Sequence, residues 1–130
     1  MTEIAALLAA ALLFGGMTLY SFGLAPLLFT GLDAPTAGRM LRRAFPWYYL
    51  FILATAVLAA GLLAPSDPVA AGLMAATATV AIIARQALMP AINAATDAGA
   101  ERRFAWLHGL SVALNFVQLA AVAWVLVRFL

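Results

Sequence analysis

Four long apolar runs dominate this chain, at residues 4–29, 46–63, 69–89 and 104–129, with only short polar breaks between them. At about 1.5 Å per residue, each run is long enough to cross, or nearly cross, a hydrocarbon core of about 30 Å. A backbone in lipid must satisfy its own hydrogen bonds, so runs of this kind are expected as helices. The composition agrees. Of 130 residues, 67% are hydrophobic and 9% charged, against about 25% charged in soluble domains. The Met1-Thr2-Glu3 start has no basic residue ahead of the first run, which points to a retained span and not a cleaved leader.

The breaks set the topology. Gly31-Leu32-Asp33-Ala34-Pro35 is a turn, and Ala64-Pro65-Ser66-Asp67-Pro68 is short enough only for an antiparallel hairpin. Residues 91–103 form an alanine-rich polar connector, with Gly99 as its breaker. The expected fold is therefore an all-α membrane protein: an antiparallel four-transmembrane-helix bundle formed by residues 1–130 as one domain. Arg39-Met40-Leu41-Arg42-Arg43-Ala44-Phe45 reads as a short cytoplasmic interfacial helix before the second span, capped by Thr36 and separated from the span by Pro46. Trp47, Tyr48 and Tyr49 read as an interfacial aromatic belt, joined by Trp106. Gly16, Tyr20 and Gly23 in the first span, and Gly72, Ala76 and Thr79 in the third, read as small-residue packing faces.

Arginine supplies all seven basic residues. Six of them (Arg39, Arg42, Arg43, Arg85, Arg102 and Arg103) fall on the side of the first and third connectors, and Arg128 falls on the other. The positive-inside rule places those connectors in the cytoplasm and both termini outside, in a cytoplasmic (inner) membrane. Arg39, Arg42, Arg43, Arg102 and Arg103 are expected at lipid headgroups. They form no long basic run, so the lipid bilayer is the expected partner and nucleic acid is not.

The last span carries the main polar feature. His108, Ser111, Asn115 and Gln118 fall on one helical stripe, and His108 is the only histidine. In lipid such a stripe is expected to face other helices. Counted from Arg103, His108 lies about 7 Å inside the cytoplasmic boundary, with Asn115 near the midplane. Arg85 approaches from the third span, and Tyr20 and Ser21 from the first. These seven residues are the expected binding cluster, with Arg85 at its mouth.

Several chemistries are unsupported. The chain has no Cys, which removes thiolate metal sites and thiol nucleophiles. No carboxylate lies inside a span, and no nucleophile–base pair, P-loop or dinucleotide fingerprint is present. Whether the chain is an enzyme stays open, with the balance of these features leaning against catalysis. No cofactor is predicted; the alternative is haem, with His108 as axial ligand and Met17, Met74, Met89 or a second subunit supplying the other. For a metal, His108 is the only imidazole.

Several fragments resemble one family. Phe104-x3-His108-Gly109-Leu110-Ser111-x3-Asn115 is similar to the fourth span of the transmembrane protein 205-like family. Arg42-x2-Phe45-Pro46-x-Tyr48-Tyr49 resembles the start of its second span, and Leu88-Met89-Pro90 the end of its third. Gly16-x-Thr18 and Phe29-x2-Leu32 also match. The resemblance implies a small four-span membrane protein of unsettled activity, marked at Arg42, Phe45, Pro46, Tyr48, Pro90, His108, Ser111 and Asn115. The family's eukaryotic branch is linked to platinum-drug tolerance, which implies handling of soft metal species. Ala84 departs from the pattern, where an Asn is expected.

The resulting expectation is a protein that binds or transports a small solute or soft metal species at a polar site near the inner leaflet. Self-association is expected with transport, because four helices leave little room for a pathway. The alternatives are a haem-binding membrane redox protein and a non-catalytic scaffold or assembly partner.

Overall fold

The computed structural model describes all residues, Met1–Leu130. Four helices are long and apolar enough to cross a membrane: α1 Thr2–Gly31, α2 Ala34–Leu63, α3 Pro68–Asp97 and α4 Glu101–Val127. They form a ring in which α2 packs on α1 and α3, and α4 closes between α3 and α1. Two ion pairs show that the helices alternate in direction. Arg42 of α2 grips Asp97 at the end of α3 through two hydrogen bonds of 2.7 and 2.8 Å. At the opposite end, Arg128 after α4 donates to Asp67 before α3 at 2.5 Å. The protein is a multi-pass, four-helix transmembrane bundle.

No separate interfacial helix precedes the second span. Residues 34–63 form one continuous helix that runs through Pro46. The cap explains this. Asp33 accepts the N–H of Thr36 at 3.1 Å, and Pro35 sits in the first turn where its missing N–H costs nothing. The helix is thus established well before Pro46. Thr36 is not the cap; its hydroxyl instead accepts from Arg39. Asp67 caps α3 in the same way, through the N–H of Ala70 at 3.0 Å. Gly99 makes the turn into α4 with φ +65°, a conformation open to glycine.

All the helices pack most closely at one end of the bundle. Ala6, Ala9, Ala10, Leu13 and Met17 of α1 meet Ile52, Ala56 and Ala59 of α2 and Met74, Ala78 and Ala81 of α3, all buried. Alanine lets these backbones approach, and close van der Waals packing drives association between helices in lipid. The buried face of α3 is this one; Gly72, Ala76 and Thr79 are exposed, so the expected small-residue face of the third span points away from the bundle. Beyond Met17 no residue of α1 is fully buried, and none of α4 before Gln118. α1 and α4 therefore pack less tightly towards the arginine-rich end, where α2 and α3 still bury Ala37, Leu41, Leu88 and Ala95.

Two widened turns lie in that half. Leu19–Leu24 of α1 and Ala84–Leu88 of α3 are π-helical. Each directly precedes a segment with proline in its first turn, Pro26 and Pro90. A proline has no N–H to give the carbonyl one turn back, and a wider turn is one way the chain adjusts. The turns hold Tyr20, Ser21 and Arg85.

Candidate functional site

Where the alanine packing stops, a polar and aromatic cluster fills the space between α1, α2 and α4. Tyr48 of α2 donates its hydroxyl to Asn115 Oδ1 at 2.6 Å. Asn115 Nδ2 donates in turn to Ser21 Oγ at 3.0 Å. One carboxamide thus links three helices, and polar groups in lipid need such partners. Tyr20 lies flat against Tyr48, with ring centroids 4.0 Å apart and planes 15° apart. Phe45 meets Tyr20 edge-on at 5.7 Å and stacks on Tyr49 at 6.0 Å. Such aromatic pairs contribute about 0.5–1.5 kcal/mol beyond the area they bury.

The Tyr20 hydroxyl is the exception in this network. It is buried and makes no hydrogen bond, alone among the buried side-chain polar atoms. A buried donor without a partner costs about 1–3 kcal/mol.

The expected site residues divide into three groups. Tyr20, Ser21 and Asn115 come together. Gln118 is buried but serves elsewhere, donating to the Thr77 carbonyl of α3 at 3.0 Å. Arg85 reaches across from α3 to the Pro46 carbonyl at 3.4 Å, a long contact that ties the widened turn to α2. Ser111 turns back to its own helix, donating to the His108 carbonyl at 2.9 Å. His108 is exposed, with its ring stacked on Phe104 at 5.5 Å. Of the methionines weighed as haem ligands, Met17 and Met74 are buried in the alanine-rich core and Met89 is half-buried on α3.

Helix rise accounts for the position of His108. Twenty residues cross about 30 Å. Counted from Val127, at the end marked by the Arg128–Asp67 pair, twenty residues reach Leu107 and His108. The histidine thus belongs near the boundary, where an exposed imidazole is inexpensive. The same count from Leu63 reaches Arg43 and Ala44, and leaves Tyr48 about 6 Å inside. By the same count Asn115 lies about 11 Å inside, within one turn of the midplane, and its hydrogen bond joins it to the Tyr48 side chain.

The residue pattern alone misplaces two members, of which the family resemblance marks Tyr48. Tyr48 and Tyr49 were expected at the interface, but they are 7% and 8% exposed, whereas Trp47 beside them is 73% exposed. Their spacing carried a usable signal. Tyr48, Tyr49, Ile52 and Ala56 share a helical face, and Trp47 lies off it.

A family model described as a domain of unknown function, DUF4149, matches residues 8–101. The chain belongs to the DUF4149 family. Its match runs through α1, α2 and α3 and ends at the first residue of α4. The DUF4149 match therefore includes Tyr20, Ser21, Phe45 and Tyr48, but not Asn115. No curated protein and no solved structure matches the chain.

Proposed function

We propose that the cluster of Tyr20, Ser21, Tyr48 and Asn115 is a binding site for a small ligand that accepts a hydrogen bond. The observation that carries this reading is the buried, unpartnered hydroxyl of Tyr20. A ligand oxygen or nitrogen accepting from it recovers the energy the apo bundle forgoes. Stacked aromatic rings beside the hydroxyl add an apolar wall, the usual make-up of a small-molecule site.

The donor set also selects the chemistry. Two phenols, a carboxamide and a hydroxyl are hard, neutral groups. Soft metals favour thiolates and thioethers; the chain has no Cys, and Met17 and Met74 are sealed in the core. The ligand is organic, and His108 takes no part in holding it. The resemblance to the transmembrane protein 205-like family supports a binding or transport role over catalysis. By the positive-inside rule the site opens towards the cytoplasm, with both termini outside.

Thermal unfolding in detergent against a panel of solute classes tests the reading. One class raises the Tm, Asn115→Ala abolishes the response, and His108→Ala retains it. A Soret band in the purified protein that vanishes in His108→Ala supports the haem alternative instead. No response to any class, with both variants destabilised, supports a scaffold.

A further inference from the structure

A groove of about 610 Å³ runs between α1 and α2 on the outer face of the bundle. That volume is within the roughly 300–1,000 Å³ of ligand sites. Leu19, Leu24 and Leu27 of α1 and Phe51 of α2 line it together with Tyr20 and Tyr48. It is therefore apolar along most of its length, and its polar residues are the stacked pair Tyr20 and Tyr48, with the unpartnered Tyr20 hydroxyl buried beside it.

The groove has the depth of one leaflet. The contacts Gly16 with Phe51 and Tyr20 with Tyr48 register α1 against α2, and set Leu63 near Ile4 and Ala44 near Gly23 and Leu24. Gly16 then falls near the bilayer midplane and Leu27 just past the arginine-rich boundary. From Gly16 to Leu27 the helix rises about 16 Å, about half of a 30 Å core.

The mouth of the groove carries unbalanced positive charge. It opens towards the Gly31–Ala34 turn that joins the same two helices, where Arg39 bonds only to Thr36. Six arginines and three carboxylates (Asp33, Asp97 and Glu101) lie at this end of the bundle. Only Arg42 among those six is in an ion pair.

We propose that an anionic phospholipid of the arginine-rich leaflet occupies this groove, its acyl chain against Leu19 and Phe51, its glycerol esters at the level of Leu24 and its headgroup past Leu27 towards the arginines. The buried Tyr20 hydroxyl turns into the groove and donates to an ester oxygen of the bound lipid. This deepens the binding reading above and rests on Tyr20 as a ligand contact. It makes the ligand an amphiphile that arrives sideways from the bilayer.

The test is native mass spectrometry of the full chain in mild detergent, exchanged against equimolar phosphatidylglycerol and phosphatidylcholine. The wild type retains phosphatidylglycerol preferentially. Leu24→Trp, which fills the groove with a lipid-compatible side chain, removes that retention. Tyr20→Phe lowers it about fivefold, the equivalent of one neutral hydrogen bond of about 1 kcal/mol. Equal retention of the two lipids overturns the proposal, as does unchanged retention in Tyr20→Phe, a variant that keeps the ring and the fold. If solutes still raise the Tm through Asn115 while lipid retention ignores Leu24→Trp, the groove proposal falls and the binding site stands.

Discussion

Tyr20 and Tyr48 lie face to face with centroids 4.0 Å apart, yet only Tyr48 has a hydrogen-bond partner for its hydroxyl. Removing the two hydroxyls should therefore have opposite consequences. Tyr48→Phe strands Asn115 Oδ1 and is expected to destabilise the apo protein by about 0.6–1.7 kcal/mol, the range for hydrogen bonds between spans. Tyr20→Phe deletes an unsatisfied donor and is expected to be neutral or stabilising by up to about 1 kcal/mol. Reversible denaturation in mixed micelles measures both.

Asn115 and His108 were part of one polar stripe in the sequence, and they separate in their consequences. Asn115→Ala breaks bonds to two other helices and leaves Tyr48 and Ser21 without it. A loss of about 1–3 kcal/mol is expected, the cost of stranding buried partners. His108→Ala should change stability by less than about 0.5 kcal/mol, as an exposed side chain with one aromatic neighbour. The same denaturation series reads both.

Adjacent glycines give a sharp contrast on α1. A Cβ at Gly16 would overlap the Phe51 ring, whereas one at Gly15 meets nothing within 4 Å. Gly15→Ala should stabilise by up to about 1 kcal/mol through helix propensity. Gly16→Ala forces the ring aside and is expected to cost about 1–3 kcal/mol. Thermal unfolding of the pair in one detergent checks the difference in sign.

The Arg128–Asp67 pair predicts an acid response at the opposite end. The hydrogen bond from Arg128, with a further one from the Ala70 N–H, holds the Asp67 carboxyl below its ordinary value, which is about 3.9. A depressed carboxylate contributes stability that is fully present above the unfolded value and lost as pH falls through the folded one. The wild-type Tm should therefore drop more steeply than that of Asp67→Asn below about pH 4. Parallel slopes in a pH series would remove this pair from the account.

The fold was largely legible because its determinants are long-range averages. Four apolar runs, two proline-bearing turns and Gly99 dictate the helices whatever the details of packing. The site was legible only in part. Tyr20, Ser21 and Asn115 were found because a polar side chain inside an apolar run needs a partner. Tyr48 was read as a belt residue because belt and core tyrosines look alike until the buried face of α2 is known. His108 shares the helical stripe of Asn115 but is exposed and stacked on Phe104, because a shared stripe does not say how far along α4 the neighbouring helices stay in contact. The interfacial helix failed on local chemistry: Asp33 starts α2 twelve residues ahead of Pro46, and the proline no longer decides where the helix begins.

Tyrosine NMR gives the sharpest test of the proposed binding site, since the chain has three tyrosines, Tyr20, Tyr48 and Tyr49. Protein labelled with 13C at tyrosine Cζ, with Tyr20 assigned through Tyr20→Phe, is titrated with the solute that most raises the Tm. If the Tyr20 hydroxyl is the ligand contact, the Tyr20 resonance moves furthest, because that hydroxyl passes from unpartnered to bonded. A stabilised protein in which Tyr20 stays still while Tyr49 shifts would contradict that role.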